Sequence, residues 1–163
     1  MRNFANSKFA KICGLVLAAM LPTAAMADGF AAATTIDDQN NDAELSFEWC
    51  RRSTLRGAKD CALEACDIAA GDCQLVIYCE PGKWSGVLAM STGDDIKHTA
   101  VCEKASRNSA LRALKDQCRA FRKAHADSFK NCKVESIVSP NAGTSETDVV
   151  TWRYRGGDIR AVD

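Results

Sequence analysis

The sequence predicts an α+β fold in which two helices pack on a small antiparallel sheet and disulfides fasten the helices to the strands. Three observations favour this class. Two stretches have the apolar periodicity of a helix, several short β-rich runs lie between turn residues, and eight of the nine cysteines follow residue 27. An even number of cysteines in an exported chain is typical of a disulfide framework.

The first 27 residues have the pattern of a cleaved export signal. Three basic residues precede an uncharged apolar run over residues 12–21, and the small residues that signal peptidase recognises follow at Ala25 and Ala27. We therefore expect cleavage after Ala27 and a periplasmic or secreted protein. No later stretch approaches the ~20 apolar residues of a membrane helix, so we expect no transmembrane segment in the mature chain.

The formal net charge of zero conceals an uneven distribution. Residues 1–27 hold three of the 21 Lys and Arg residues and no acidic residue, which leaves 18 basic against 21 acidic side chains, a net charge of −3. This balance predicts no specific nucleic-acid partner. Residues 28–44 are polar and acidic and are predicted to form a flexible arm, and residues 45–163 are predicted to form one disulfide-rich domain.

The first half of that domain has one helical stretch between β-rich runs. The segment "ELSFEW" alternates as a short strand does, and residues 53–70 have helical periodicity, with Gly71 as the stop signal. The run "CQLVIYC" predicts a strand and "EPGK" a turn. The runs "WSGVLAMS" and "IKHTAVC" then predict a hairpin.

The second half contains the strongest helical pattern. Ser106 opens a helix over about residues 106–125, and its apolar stripe comprises Leu111, Leu114, Cys118 and Phe121. The run "NCKVESIV" predicts the next strand. In "DVVTWRY" the alternation predicts a strand with Val150, Trp152 and Tyr154 on one face. The run "RGGDIRAV" predicts a tight Gly-Gly hairpin with a short last strand.

Two stretches follow the same plan, which predicts a degenerate internal duplication with half-units 45–83 and 84–163. Each has a Ser-initiated helix ending in Cys, a polar loop, and then a Cys followed by an apolar strand: "STLRGAKDCALEAC…DCQLVIYC" and "SRNSALRALKDQC…NCKVESIV". Sequence identity between the two is low. The sequence therefore leaves open whether they descend from a true duplication.

The second copy resembles a family of bacterial exported domains of unknown function. The resemblance covers about residues 84–138 and depends on "WSGVLAMSTGDD", "SRNSALRALKDQC" and "NCKVESIV". The chain departs from the family pattern in the long insertion "RAFRKAHADSFKN" and lacks a cysteine shortly after the last strand. The resemblance implies the fold and export, and it implies no catalytic residue.

The cysteines are predicted to be structural disulfides. Zinc sites prefer closer Cys pairs, no C-x-x-C redox motif is present, and the two histidines lie far apart in sequence, so we expect no metal and no cofactor. The repeated plan predicts Cys66–Cys73 and Cys118–Cys132. The other four cysteines have three possible pairings, of which we favour one. The eight residues are Cys50, Cys61, Cys66, Cys73, Cys79, Cys102, Cys118 and Cys132, and the favoured remaining pairs are Cys50–Cys61 and Cys79–Cys102.

A basic stripe on the second predicted helix is the candidate binding site. Between Lys104 and Lys133 there are nine basic and two acidic residues, and five of the basic ones share one side of the helix. The stripe is interpreted as a docking face for an anionic envelope component or an acidic protein. The alternatives are a solvated helix face and a face covered by the acidic segment from Asp28 to Glu48. The stripe residues are Arg112, Lys115, Arg119, Arg122 and Lys123.

The sequence offers no catalytic constellation. It lacks the G-x-S-x-G and H-E-x-x-H motifs and a phosphate-binding Gly loop. His98 precedes Cys102 by four residues, but a cysteine that forms a disulfide is no nucleophile. The sequence therefore favours an exported, non-enzymatic binding domain of unknown partner. The alternatives are a small secreted hydrolase, an enzyme inhibitor and a structural envelope component.

Overall fold

A computed structural model describes residues 29–37, 43–93, 95–141 and 145–162. The predicted signal peptide and its cleavage site lie outside these residues. Eight strands and two helices follow one another along the described chain, in the order β1 (Gly29–Asp37), β2 (Ala43–Arg52), α1 (Leu55–Ala69), β3 (Gln74–Cys79), β4 (Trp84–Ser91), β5 (Ile96–Lys104), α2 (Arg107–Ala124), β6 (Asn131–Val138), β7 (Ser145–Arg155) and β8 (Asp158–Val162).

The strands form two antiparallel sheets that pack face to face between the helices. The first sheet has the order β2-β1-β3, and the second has the order β5-β4-β6-β7-β8. The neighbours Val87 and Leu88 of β4 show the layering, because successive strand residues point to opposite faces. Val87 packs with Phe30 of the first sheet, whereas Leu88 packs with Leu114 of α2. The layers are therefore α1, first sheet, second sheet and α2.

The α+β class and the disulfide framework are confirmed, but two predictions about the sheet are wrong. The sequence predicted one small sheet, and the structure has two. Residues 28–44 were predicted to be a flexible arm, yet Gly29–Asp37 is the central strand of the first sheet. Both faces of β1 are buried, and Phe30 is only 1% exposed.

The alanines of β1 explain why the sequence did not indicate a strand. Alanine is depleted in strands, and a strand buried on both faces has no polar residues to alternate with apolar ones. Here small side chains are required, because Ala31 and Ala33 pack against Ala58 and Ala62 of α1. The tight packing between β1 and α1 therefore depends on residues that carry almost no strand signal.

The two halves of the chain share one topology. In β1-β2-α1-β3 and in β4-β5-α2-β6 the first strand lies between the other two, and the helix packs on the sheet of its own unit. Cys50 and Cys66 are spaced as Cys102 and Cys118 are. The first unit begins at β1, outside the predicted half-unit 45–83. The β7–β8 hairpin has no counterpart in the first unit.

The four disulfides have the pairings that the sequence favoured. Three of them fasten a helix to a strand or to the segment before a strand in the same unit, and the fourth joins β3 of the first sheet to β5 of the second. They are Cys50–Cys61, Cys66–Cys73, Cys118–Cys132 and, between the sheets, Cys79–Cys102. Within the described part of the chain, no helix is long and apolar enough to cross a membrane.

Candidate functional site

Helix α2 carries the predicted basic stripe, and local sequence signals fix its position. Ser106 is the N-cap and accepts a hydrogen bond from the amide of Ser109, whose hydroxyl in turn accepts one from the Ser106 amide. This reciprocal arrangement satisfies backbone donors that have no partner within the helix. Leu114 and Cys118 are fully buried against the second sheet, so the basic stripe projects to one side of the helix.

A groove separates the last turns of α2 from the β7–β8 hairpin. It has a volume of about 300 Å³ and is lined by Arg119, Arg122 and Lys123 from the helix and by Tyr154, Gly157, Asp158 and Ile159 from the hairpin. The helix therefore supplies three cations, while the hairpin supplies one aromatic ring and one carboxylate. We name this feature the α2–hairpin groove.

Arg119 is neutralised within the fold. Its Nε–H donates to Oδ1 of Asp158 at 3.1 Å, and Nη1 donates to Oδ1 of Asp116 at 2.9 Å. The hydrogen bond from Arg119 holds the pKa of the Asp158 carboxyl below its ordinary value, with a smaller contribution from the charge of Lys115. The same carboxylates raise the pKa of Arg119. Arg119 thus positions the hairpin against the helix.

Arg122 and Lys123 form no ion pair with the carboxylates that the structure describes. The guanidinium carbon of Arg122 lies 4.2 Å from the centroid of the Tyr154 ring, a cation–π geometry. Among the described residues, no carboxylate oxygen lies within 4.0 Å of a side-chain nitrogen of Arg122 or Lys123. The groove therefore presents two available cations beside a partly exposed aromatic ring.

The remaining stripe residues lie outside the groove. Arg112 is exposed and Lys115 is half-buried, and neither lines the groove. The alternative that the acidic segment from Asp28 to Glu48 covers the basic stripe is wrong for the acidic residues that the structure describes. These residues lie in β1 and β2, and the first sheet is on the opposite side of the second sheet from α2.

The hairpin residues of the groove were missed by the sequence analysis. Tyr154 was predicted to share one strand face with Trp152, which is correct, but Trp152 is buried whereas Tyr154 is 45% exposed. Asp158 gave no signal at all. The one sequence feature that could have indicated these residues is the high density of charged side chains in "RYRGGDIR". This stretch forms the β7–β8 hairpin, whose turn has two residues.

The histidines have structural partners. His98 Nε2 lies 3.6 Å from Oε2 of Glu135, and its ring stacks on Phe47 at 4.8 Å, whereas Cys102 is joined to Cys79. His125 is the C-cap of α2. In the described ranges, no group of three or more His, Cys, Asp or Glu side chains is arranged to hold a metal ion.

Comparisons of the chain with protein-family models, with curated proteins and with solved structures found no match.

Proposed function

We propose that this protein is an exported, non-enzymatic binding domain that holds an acidic segment of a partner protein in the α2–hairpin groove. One observation carries the proposal: Arg122 and Lys123 line the groove, and no carboxylate of the described residues neutralises them. Uncompensated cations in a concave site attract an anionic group more strongly than the same charges on a flat surface, because the walls exclude solvent.

The geometry of Arg122 favours a carboxylate as the bound group. Its guanidinium lies over the Tyr154 ring, which restricts the side chain. A restricted, planar guanidinium can donate two parallel hydrogen bonds to one carboxylate and loses little further entropy when it does so. Lys123, the next residue of α2, supplies a second hydrogen-bond donor in the groove. The pair therefore suits one acidic side chain and its neighbour.

The size of the groove favours a short peptide segment. A volume of about 300 Å³ is at the lower end of the range for small-molecule pockets, and the groove is open to solvent. It accommodates one or two side chains of a segment that continues along the surface. An anionic envelope polymer is the other occupant to be tested.

Export is supported by the disulfides and by the predicted signal. Eight cysteines form four disulfides, and such frameworks persist in oxidising compartments outside the cytoplasm. A binding domain in that setting requires a rigid scaffold, and each helix of this protein is fastened covalently to neighbouring sheet elements.

The test compares two double variants that each remove two positive charges from α2. Arg122→Gln/Lys123→Gln changes the groove, and Arg112→Gln/Lys115→Gln is the matched control on the same stripe. Binding of poly-L-glutamate is measured by titration calorimetry at about 0.15 M salt. We expect the groove variant to lose about tenfold or more in affinity and the control to lose about twofold.

Equal losses in the two variants would show a diffuse charge effect and would contradict the groove. A different result would be that the protein binds an anionic polysaccharide and not poly-L-glutamate, with the same difference between the variants. That result would confirm the groove as the binding site and identify the ligand as a polysaccharide and not a peptide. Far-UV circular dichroism of each variant checks that the fold is unchanged.

A further inference from the structure

The β7–β8 hairpin carries a second set of cations on the side that faces away from α2. In the strand register Arg153 lies directly opposite Arg160, and Tyr154 lies opposite Ile159. Directly opposed residues of an antiparallel pair project to the same face, and successive residues alternate. Since Tyr154 and Ile159 line the α2–hairpin groove, Arg153 and Arg160 project from the other face.

Arg155 extends this set toward the turn. It follows Arg153 by two residues and directly precedes the turn, and all three arginines are exposed. The residue opposite Arg155 is Asp158, whose carboxylate is engaged by Arg119 of α2. Asp158 is therefore not available to neutralise the arginines. We name Arg153, Arg155 and Arg160 the hairpin arginine face.

The other carboxylates of the adjacent strands also have partners. Asp148 Oδ1 lies 2.6 Å from Nζ of Lys133, and Glu135 interacts with His98. Among the residues that the structure describes, none of the three hairpin arginines forms an ion pair. The face therefore holds three positive charges that form no ion pair with a carboxylate of the described residues.

The turn positions one of these guanidinium groups. A Cβ atom at Gly156 would lie 3.5 Å from Nη2 and 3.7 Å from Cζ of Arg160, so the guanidinium lies against the turn backbone. Gly156 and Gly157 have φ values of +58° and +87°, a backbone that glycine adopts readily and other residues disfavour. The Arg160 guanidinium thus lies beside Gly156, the residue that follows Arg155.

Like charges that face each other across two strands are unfavourable. An anion bound between them would offset the repulsion. The hairpin also has no counterpart in the first unit, so the shared topology does not require these arginines. We propose that the hairpin arginine face is an oxyanion site that binds a phosphate group. A phosphomonoester carries a charge of about −1.5 to −2 with three acceptor oxygens, which suits neighbouring arginine side chains.

This site shares no residue with the α2–hairpin groove, and Arg153 and Arg160 lie on the opposite face of the hairpin from Tyr154 and Ile159. The test uses the full mature chain and inorganic phosphate as the probe. Phosphate is titrated into 15N-labelled protein at constant ionic strength, with chloride as the balancing anion, and the arginine Nε–H signals are followed by NMR. The variants are Arg153→Gln/Arg160→Gln and, as a matched control outside both sites, Arg112→Gln/Lys115→Gln.

We expect saturable shifts of the hairpin arginine signals, a loss of about tenfold in phosphate affinity in Arg153→Gln/Arg160→Gln, and unchanged affinity in the control Arg112→Gln/Lys115→Gln. Removing a like-charge pair should leave the melting temperature unchanged or slightly higher, so misfolding would be visible as a lower value. Shifts that chloride reproduces, or equal affinity in wild type and Arg153→Gln/Arg160→Gln, would overturn the site.

A second arm identifies the source of the phosphate. Sedimentation with vesicles that contain phosphatidylglycerol is compared with sedimentation with pure phosphatidylcholine vesicles. Arginine-dependent binding to the first kind alone assigns the site to lipid phosphodiesters. Phosphate binding without vesicle binding assigns the site to soluble phosphate compounds. If Arg153→Gln/Arg160→Gln weakens neither phosphate binding nor vesicle binding, the proposal is refuted.

Discussion

Arg119 of α2 donates its Nε–H to Oδ1 of Asp158 at 3.1 Å, which joins the helix to the first residue of β8. A second carboxylate, that of Asp116, holds the same guanidinium from within the helix at 2.9 Å. Arg119 is thereby fixed and neutralised at one end of the groove. The available positive charge is left to Arg122 and Lys123, which have no such partners among the described residues.

Replacing Asp158 by Asn should strengthen binding of acidic ligands to the α2–hairpin groove. The change removes the negative charge in the groove and frees part of the charge of Arg119. We expect affinity for poly-L-glutamate to rise about two- to fivefold, with a steeper dependence on salt. Asp127→Asn is the control, since it removes an exposed carboxylate outside the groove. Weaker binding by Asp158→Asn would contradict this prediction. It would show that affinity depends more on the hairpin position that the Arg119–Asp158 ion pair maintains than on the charge of the groove.

Acid should remove a stabilising contribution from Glu135. The His98 imidazole, whose Nε2 lies 3.6 Å from Oε2 of Glu135, holds the pKa of this carboxyl below its ordinary value, and the Glu135 side chain is 34% exposed. A folded-state pKa below the unfolded value stabilises the protein above the unfolded pKa of about 4.3, and this is lost as pH falls through the folded pKa.

Glu135→Gln should therefore lower the free energy of unfolding by up to about 1 kcal/mol at pH 5.5, and the difference should vanish near pH 3. Urea unfolding of both proteins at each pH measures it. Glu64→Gln, on the exposed side of α1, is the control and should have little effect. A difference that grows in acid would rule out the ion-pair explanation.

Gly86→Ala should destabilise the second sheet. An added Cβ would lie 2.7 Å from Cδ1 of Ile137, 2.9 Å from Cδ1 of Leu114 and 3.1 Å from the carbonyl oxygen of Ser136. The two side-chain ends can shift, but the carbonyl belongs to the paired strand β6. We expect a loss of about 1–3 kcal/mol in thermal or urea unfolding. An unchanged midpoint would mean that α2 and β6 relax without cost.

Removal of the disulfide between the sheets should be costly. Cys79–Cys102 closes a loop with a sequence separation of 23 residues, so its loss should lower the free energy of unfolding by about 3 kcal/mol. The double Ser variant at positions 79 and 102 is compared with the double Ser variant at 50 and 61, which removes a disulfide inside the first unit. Only the first change should weaken protection of both sheets in hydrogen exchange. Identical protection patterns would argue against a linking role.

Some features of the fold follow from local sequence, and others do not. The cap at Ser106 and the apolar stripe through Leu114 and Cys118 specify α2, because neighbours along a helix face are also neighbours in sequence. The two disulfides that follow the helices were predictable from the repeated spacing of cysteines. Strand β1 was not predictable from local sequence. Its alanines fit because α1 packs on one face of the strand and the second sheet on the other, and these elements come from other parts of the chain.

The candidate site shows the same division. The sequence by itself determined the basic stripe, the disulfide framework and the hairpin turn at Gly156 and Gly157, because each depends on residues within a few positions of one another. Only the tertiary structure decided that Asp158 neutralises Arg119 and that Tyr154 supports Arg122. These partners are separated by more than 30 positions in the chain. The antiparallel order β4-β6-β7-β8, which places the hairpin beside α2, is what brings them together.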